Sequence, residues 1–275
     1  MPNPPARARR SAKSVAATRA DPAAVERESR GARRRRETRS RLLEAALKLM
    51  AEKGMEGVAI NEITEAADVG FGSFYNHFES KEAIHSALLD WVFEDFANAM
   101  ESVLRDVSDP AEVIAVSVRY TMLRAMREPV WGQFLVREGF SARSMDHGLG
   151  RRLLRDINKG IGANRLTVAD PLISFALVGG TSLSAISLAL QAGSQEGQRS
   201  TTFKQLGSDL ENLPERVAKV ALEALGLARA EAEKIAYRPL PSLQLRPLGN
   251  ALEVDQGAPA SSHGAPPARR KRRSR

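Results

Sequence analysis

A chain of 275 residues with 43% hydrophobic content is long enough for one large or two small domains with real cores. It has no cysteine, which excludes disulfides and thiolate metal sites and suits a reducing cytoplasm. The formal net charge of +8 is unevenly held: residues 1–41 carry 13 Lys/Arg against 4 Asp/Glu, residues 269–275 carry six against none, and the acidic body between has 22 against 29.

Residues 1–36, with Pro2, Pro4, Pro5 and scattered Ala and Arg, have too few large apolar side chains to offset the entropy of ordering, so a disordered basic arm is expected. Arg9-Arg10-Ser11 is a twin arginine, but no apolar run follows it, which argues against export. At the end of the arm Arg33 to Arg36 form a cationic run. Beside a docked duplex, Arg35 and Arg36 would contact phosphates and release counterions.

The first helix is expected from Thr38 to Lys53, with Leu43, Ala46, Leu47 and Met50 at spacings of three and four and Gly54 as its stop. Ile60, Ile63, Ala66 and Ala67 then give a helix of about two turns with Asn61, Glu62 and Glu65 on its wet side. Asp68 falls where the chain must turn, and Asp tolerates the left-handed conformation. In the next short helix Phe74 and Phe78 share a face with Val69 and anchor it. Phe71, Ser73, Tyr75, Asn76 and His77 are left for another partner. These offer hydroxyls, an amide, an imidazole and a ring able to meet a thymine methyl, which is what reading a major groove requires. Gly70 and Gly72 clear the amino-terminal end of this helix for close approach to a phosphate. Ser80 is a plausible N-cap for the following helix, with Lys81 at its start.

Residues Arg41 to Ile84 resemble the amino-terminal domain of the TetR family of one-component repressors, through Leu42-Leu43, Ala45-Ala46, Leu49-Met50, Gly54, the run Gly72-Ser73-Phe74-Tyr75-Asn76-His77-Phe78 and Ser80-Lys81-Glu82. Ala59, Asp68 and the pair Gly70-Phe71 depart from common family residues. The resemblance implies that Tyr75, His77 and Lys81 hold phosphates while Asn61, Phe71, Ser73 and Asn76 face base edges. It also implies a dimer on a palindromic operator in double-stranded DNA.

From Ile84 to Val103 the apolar spacing marks a helix of about seven turns that leads into a second domain. Asp109-Pro110-Ala111-Glu112 opens another helix with a cap, a Pro at its first position and an acidic residue behind it. That helix ends before Pro129. Helices over Val130 to Phe140 and Leu149 to Ile161 follow, and no strand pattern occurs anywhere. Pro171 to Gln195 carries no charge and is nearly long enough to span a bilayer, but five Ser/Thr residues interrupt it, so a fully buried helix at a subunit interface is expected instead. Ala176, Gly180 and Ser184 make a flat strip along it. Val217, Val220 and Ala221 mark a second interface helix. By resemblance the two pair with the same two helices of another subunit.

The fold class expected is therefore all-α: an N-terminal three-helix helix-turn-helix domain over residues 37–84, a larger helical ligand-binding and dimerisation domain over 85–238, and a disordered tail over 239–275 with a basic cluster. Trp91, Phe96, Tyr120, Met122, Met126, Trp131, Phe134 and Phe175 combine aromatic and pliable thioether side chains from four helices, and are the candidates for a largely apolar ligand cavity. The histidines at 77, 85, 147 and 263 lack metal spacing, and no phosphate loop or nucleophile elbow is present, so neither a cofactor nor an enzyme is expected. The function read from the chain is a cytoplasmic, homodimeric, DNA-binding repressor released by a hydrophobic small molecule. An architectural DNA binder without sensing, or a helical hydrophobe carrier, are the alternatives.

Overall fold

The computed structural model describes residues 30–141, 148–194 and 210–243. Most of the expected basic arm and tail lies outside these residues. Eleven helices occur among them: α1 (Arg30–Lys53), α2 (Ile60–Ala66), α3 (Phe71–Tyr75), α4 (Lys81–Leu89), α5 (Asp95–Leu104), α6 (Pro110–Arg127), α7 (Pro129–Gly139), α8 (Gly148–Gly162), α9 (Pro171–Ser194), α10 (Leu213–Ala224) and α11 (Arg229–Ala236). No strand is found among the described residues.

Local chemistry places most of the boundaries. Gly54 takes φ +77° and its N–H reaches the Met50 carbonyl at 2.9 Å, ending α1 as a left-handed cap does. Asp68 takes φ +50° in the turn between α2 and α3, where Arg41 Nη2 holds its carbonyl at 2.6 Å and its carboxylate at 3.0 Å. Ala59 has no side chain to cap α2, but its N–H donates to Glu62 Oε2 at 2.8 Å, which is the half of a capping box that Glu supplies. Ser80 Oγ accepts from the Ala83 N–H at 3.2 Å and Asp109 Oδ1 from that of Ala111 at 3.0 Å, so α4 and α6 begin where their caps predict. Glu112 does not reach back to its cap; its carboxylate pairs with Arg238 near the end of α11.

Two expectations need correction. α1 begins at Arg30, well before Thr38, so Arg33 to Arg36 are helical instead of belonging to an arm; i,i+4 support comes from Arg33 and Glu37 at 3.3 Å. The helix leading from the first domain into the second is interrupted by a π turn at Asp90–Glu94, which inserts extra backbone between α4 and α5. α9 is long and apolar enough to cross a membrane, but it packs on α6, α7, α8 and α10, with only one side buried. Val178 and Ile186 face inward, whereas Ile173, Ala176, Leu177, Ser184 and Leu188 are exposed.

The buried apolar side chains of both halves form one continuous core. Phe74, fully buried, carries α3 onto α1 and α2; truncating so large a ring costs about 3–5 kcal/mol. α7 is the cross-brace. Its Arg137 donates to the Ala51 carbonyl at 3.2 Å and the Glu52 carbonyl at 2.8 Å, satisfying the free end of α1. The next residue, Glu138, places Oε2 3.2 Å from Nε2 of His85 in α4, off the line of a good hydrogen bond. Two consecutive residues of one helix thus reach both ends of the first domain, Arg137 by hydrogen bonds to α1 and Glu138 by lying beside His85 of α4.

Candidate nucleic-acid interface and ligand cavity

α2 and α3 meet across the Asp68 turn and leave one face open. Phe74 and Phe78 are buried, as the spacing requires, while Phe71 and Tyr75 are 54% and 52% exposed, a costly arrangement for large rings unless a partner covers them. They stack edge-on at 5.6 Å, so each holds the other upright. Asn61, Gly72 and Asn76 are also exposed, and Ser73, His77 and Lys81 half-buried. A Cβ built on Gly72 meets nothing, so the fold itself does not demand glycine there. The helical extension of α1 runs beside this face: Arg35 Nη2 donates to the Asn76 carbonyl at 3.2 Å, and Arg39 lies over the Phe78 ring at 5.0 Å. Partial burial first, and then Arg35 and Arg39, hold the His77 imidazole below its usual range. Arg36 belongs to the same helical turn. Arg35 and Arg39 of α1 thus lie against α3 and the residues that follow it, and Arg39, which sequence reasoning passed over, does so through its ring contact.

The second domain encloses a largely apolar cavity of 140 Å³ between the π turn, α6, α7, α8 and α9. Leu89, Phe93, Ile114, Val118, Leu135, Leu153, Val178, Leu183 and Ile186 line most of it, with Ser117, Thr121, Glu138, Arg152 and Asp156 among the polar groups. Of the eight side chains expected to form a ligand site, only Phe175 lines this space. The others are used elsewhere. Phe96, Met122, Trp131 and Phe134 are fully buried core, and Trp91 is nearly so. Phe96 and Trp131 pack edge-on against each other at 5.2 Å, and the Arg124 guanidinium lies over both rings, 4.8 and 4.9 Å from their centres. Tyr120 donates its hydroxyl to the Pro241 carbonyl, pinning the chain beyond α11, and Met126 is half-buried away from the cavity.

The interface candidates also divide. Ala176 and Ser184 are exposed, Gly180 is half-buried, and a Cβ on Gly180 meets nothing. Val220 is 51% exposed, but Val217 and Ala221 are buried within the protomer, where α10 packs on α6, and are not available to a partner.

Residues 42–88 match the family model described as bacterial regulatory proteins, tetR family, and residues 109–238 match that of the tetracyclin repressor-like C-terminal domain. Over its whole described fold the chain resembles the structure of RolR in complex with resorcinol, at 33% identity and a TM-score of 0.56, covering 78% of this chain and 100% of that one. The chain belongs to the TetR family. Like other members of that family it is a DNA-binding transcriptional regulator. A TetR family regulator from Shewanella sp. PV-4 shares the fold at 19% identity and a TM-score of 0.56, covering 70% of this chain and 99% of its own. The transcriptional repressor DhaR of Mycobacterium sp. strain GP1 is 44% identical over 72 residues, 26% of this chain and 36% of DhaR. The chain spans about a third to a half of the length of the curated relatives it matches. TetR family membership accounts for the helix-turn-helix face; the cavity of this chain is built mainly of aliphatic groups.

Proposed function

We propose that this TetR family regulator is a cytoplasmic homodimeric repressor that binds a palindromic operator and is released by a small, largely apolar ligand. The observation that carries the reading is the location of the 140 Å³ cavity, whose wall includes Leu135, Glu138 and Gly139 of α7. The same stretch of α7 grips α1 through Arg137 and faces α4 through Glu138. A compound seated there bears directly on the helix that sets the position of the DNA-binding domain.

The volume matches a single ring: a cavity of about 150 Å³ lined by aliphatic and aromatic groups accommodates benzene. Resorcinol in the RolR complex is of that size class and supports a monocyclic ligand. Dimerisation is supported by the exposed apolar side of α9 and by Val220, which together would leave an unusual hydrophobic patch on a monomer. A tenfold loss of operator affinity needs only about 1.4 kcal/mol of differential ligand binding between the two protein shapes. Operator sites selected from a random DNA pool, followed by a gel-shift screen of single-ring compounds, test the reading. The expected result is a palindromic site released by a subset of the compounds; specific DNA binding that no cavity-filling compound alters would leave an architectural protein.

A further inference from the structure

Beside the apolar cavity lies a second cleft of 510 Å³ between α5, α6 and α8, and Met100, Ser117, Arg152 and Asp156 line both spaces. Its charges are of two kinds. Three arginines of α8 and three carboxylates form a closed network: Glu94 pairs with Arg151 at 3.3 Å and Arg152 at 2.8 Å, and Glu101 pairs with Arg152 at 3.3 Å and Arg155 at 2.6 Å. Arg155 also holds Asp156 at 2.9 Å. That network is neutral as a whole. Arg105 from the end of α5 and Lys159 from α8 line the same cleft from facing helices, and neither has a carboxylate partner among the described residues. Both are exposed, so each side chain is able to turn toward an anion.

We propose that the cleft takes the anionic group of the ligand whose apolar part fills the cavity, so that the effector is a ring compound bearing a carboxylate. The inference rests on the sensor reading of the cavity and narrows its ligand class. Two surplus cations in the cleft attract an anion, and the four residues common to both linings set the cleft directly beside the apolar space. Asp156 does not repel it, because its carboxylate is already held by Arg155. The chemistry selects carboxylates over their neutral analogues through charge-assisted hydrogen bonds.

The test is titration of the full chain with benzoate, phenylacetate and 3-phenylpropionate and with the matching primary amides. Heat of binding and tryptophan emission are followed together, since Phe93 of the cavity wall stacks edge-on against Trp131 at 6.2 Å. At least one acid is expected to bind about tenfold more tightly than its amide, and the double variant Arg105→Ser, Lys159→Ser to remove that preference while leaving amide affinity unchanged. Single variants guard against a folding defect, each being expected to lose part of the preference. Equal affinity of acids and amides, no binding of any acid, or a preference that survives the double variant overturns the proposal. If resorcinol releases operator and the acids do not bind, the sensor reading stands without it; acids that bind with the expected preference but leave operator affinity unchanged uphold the site and remove the sensor reading.

Discussion

Gly72 separates the demands of the fold from those of DNA. A methyl at that position meets no protein atom and replaces a residue that disfavours helix, so Gly72→Ala should raise stability by about 0.5–1 kcal/mol in denaturant unfolding. The same methyl stands on the exposed side of α3, and operator affinity should fall. A variant that binds operator as well as the parent would show that no backbone of the duplex approaches there. Lys81→Ala is expected to weaken all DNA sequences alike, whereas Asn61→Ala should cost about 1–3 kcal/mol chiefly at one base position, which affinity measurements on a set of singly altered operators resolve. His77 adds a pH dependence whose sign follows from its surroundings. In the free protein burial, and then the neighbouring Arg35 and Arg39, lower the affinity of the imidazole for a proton. A phosphate placed beside it raises its affinity for a proton, so DNA binding takes one up and operator affinity should strengthen as pH falls through and below about 6.5. His77→Gln should flatten that slope.

At the level of elements, caps and turns were legible because they depend on a few local atoms: Gly54, Asp68, Ser80 and Asp109 do what their chemistry dictates. The start of α1 was not, because a run of arginines lowers expectation of order, yet Arg33–Glu37 pairing and the Arg35 contact with α3 give the extended helix partners that composition alone does not reveal. The π turn at Asp90–Glu94 leaves no mark in the apolar spacing that carries α4 into α5. The cavity was misplaced for a similar reason. Aromatic and methionine side chains suit a pocket chemically, but whether a stripe is core or cavity wall depends on what lies opposite, and Phe96 and Trp131 meet each other and Arg124 instead of open space. α7 provides the sharpest test at this scale. Arg137→Ala removes two hydrogen bonds to α1 carbonyls at a mostly exposed site, so about 1 kcal/mol of stability should be lost. Ligand binding should persist, because Arg137 does not line the cavity, while the ratio of operator affinities without and with an inducing compound should shrink toward one. An unchanged ratio would mean that α1 is not part of the transmission.

For the whole molecule the decisive surface is the outer side of α9. Ile173, Leu177 and Leu188 are 54%, 49% and 47% exposed, and Val220 of α10 adds a fourth large apolar group. Gly180 sits between them with open space above its backbone, a residue that the protomer does not need to be small. The proposed second copy related by a two-fold axis would explain both features, since a self-complementary patch buries apolar groups against apolar groups and small residues let two helices approach closely. Such a dimer presents two α3 helices, and if each enters successive major grooves they stand about 34–36 Å apart, so the two halves of the selected operator should be spaced by one helical turn of DNA. Gly180→Leu places a branched side chain where the partner helix approaches and should shift the protein toward monomer in sedimentation at micromolar concentration. It should also abolish binding to the palindrome while leaving half-site contacts and helical content intact. A Gly180→Leu protein that remains dimeric and binds its palindrome with parental affinity would place the two-fold axis elsewhere.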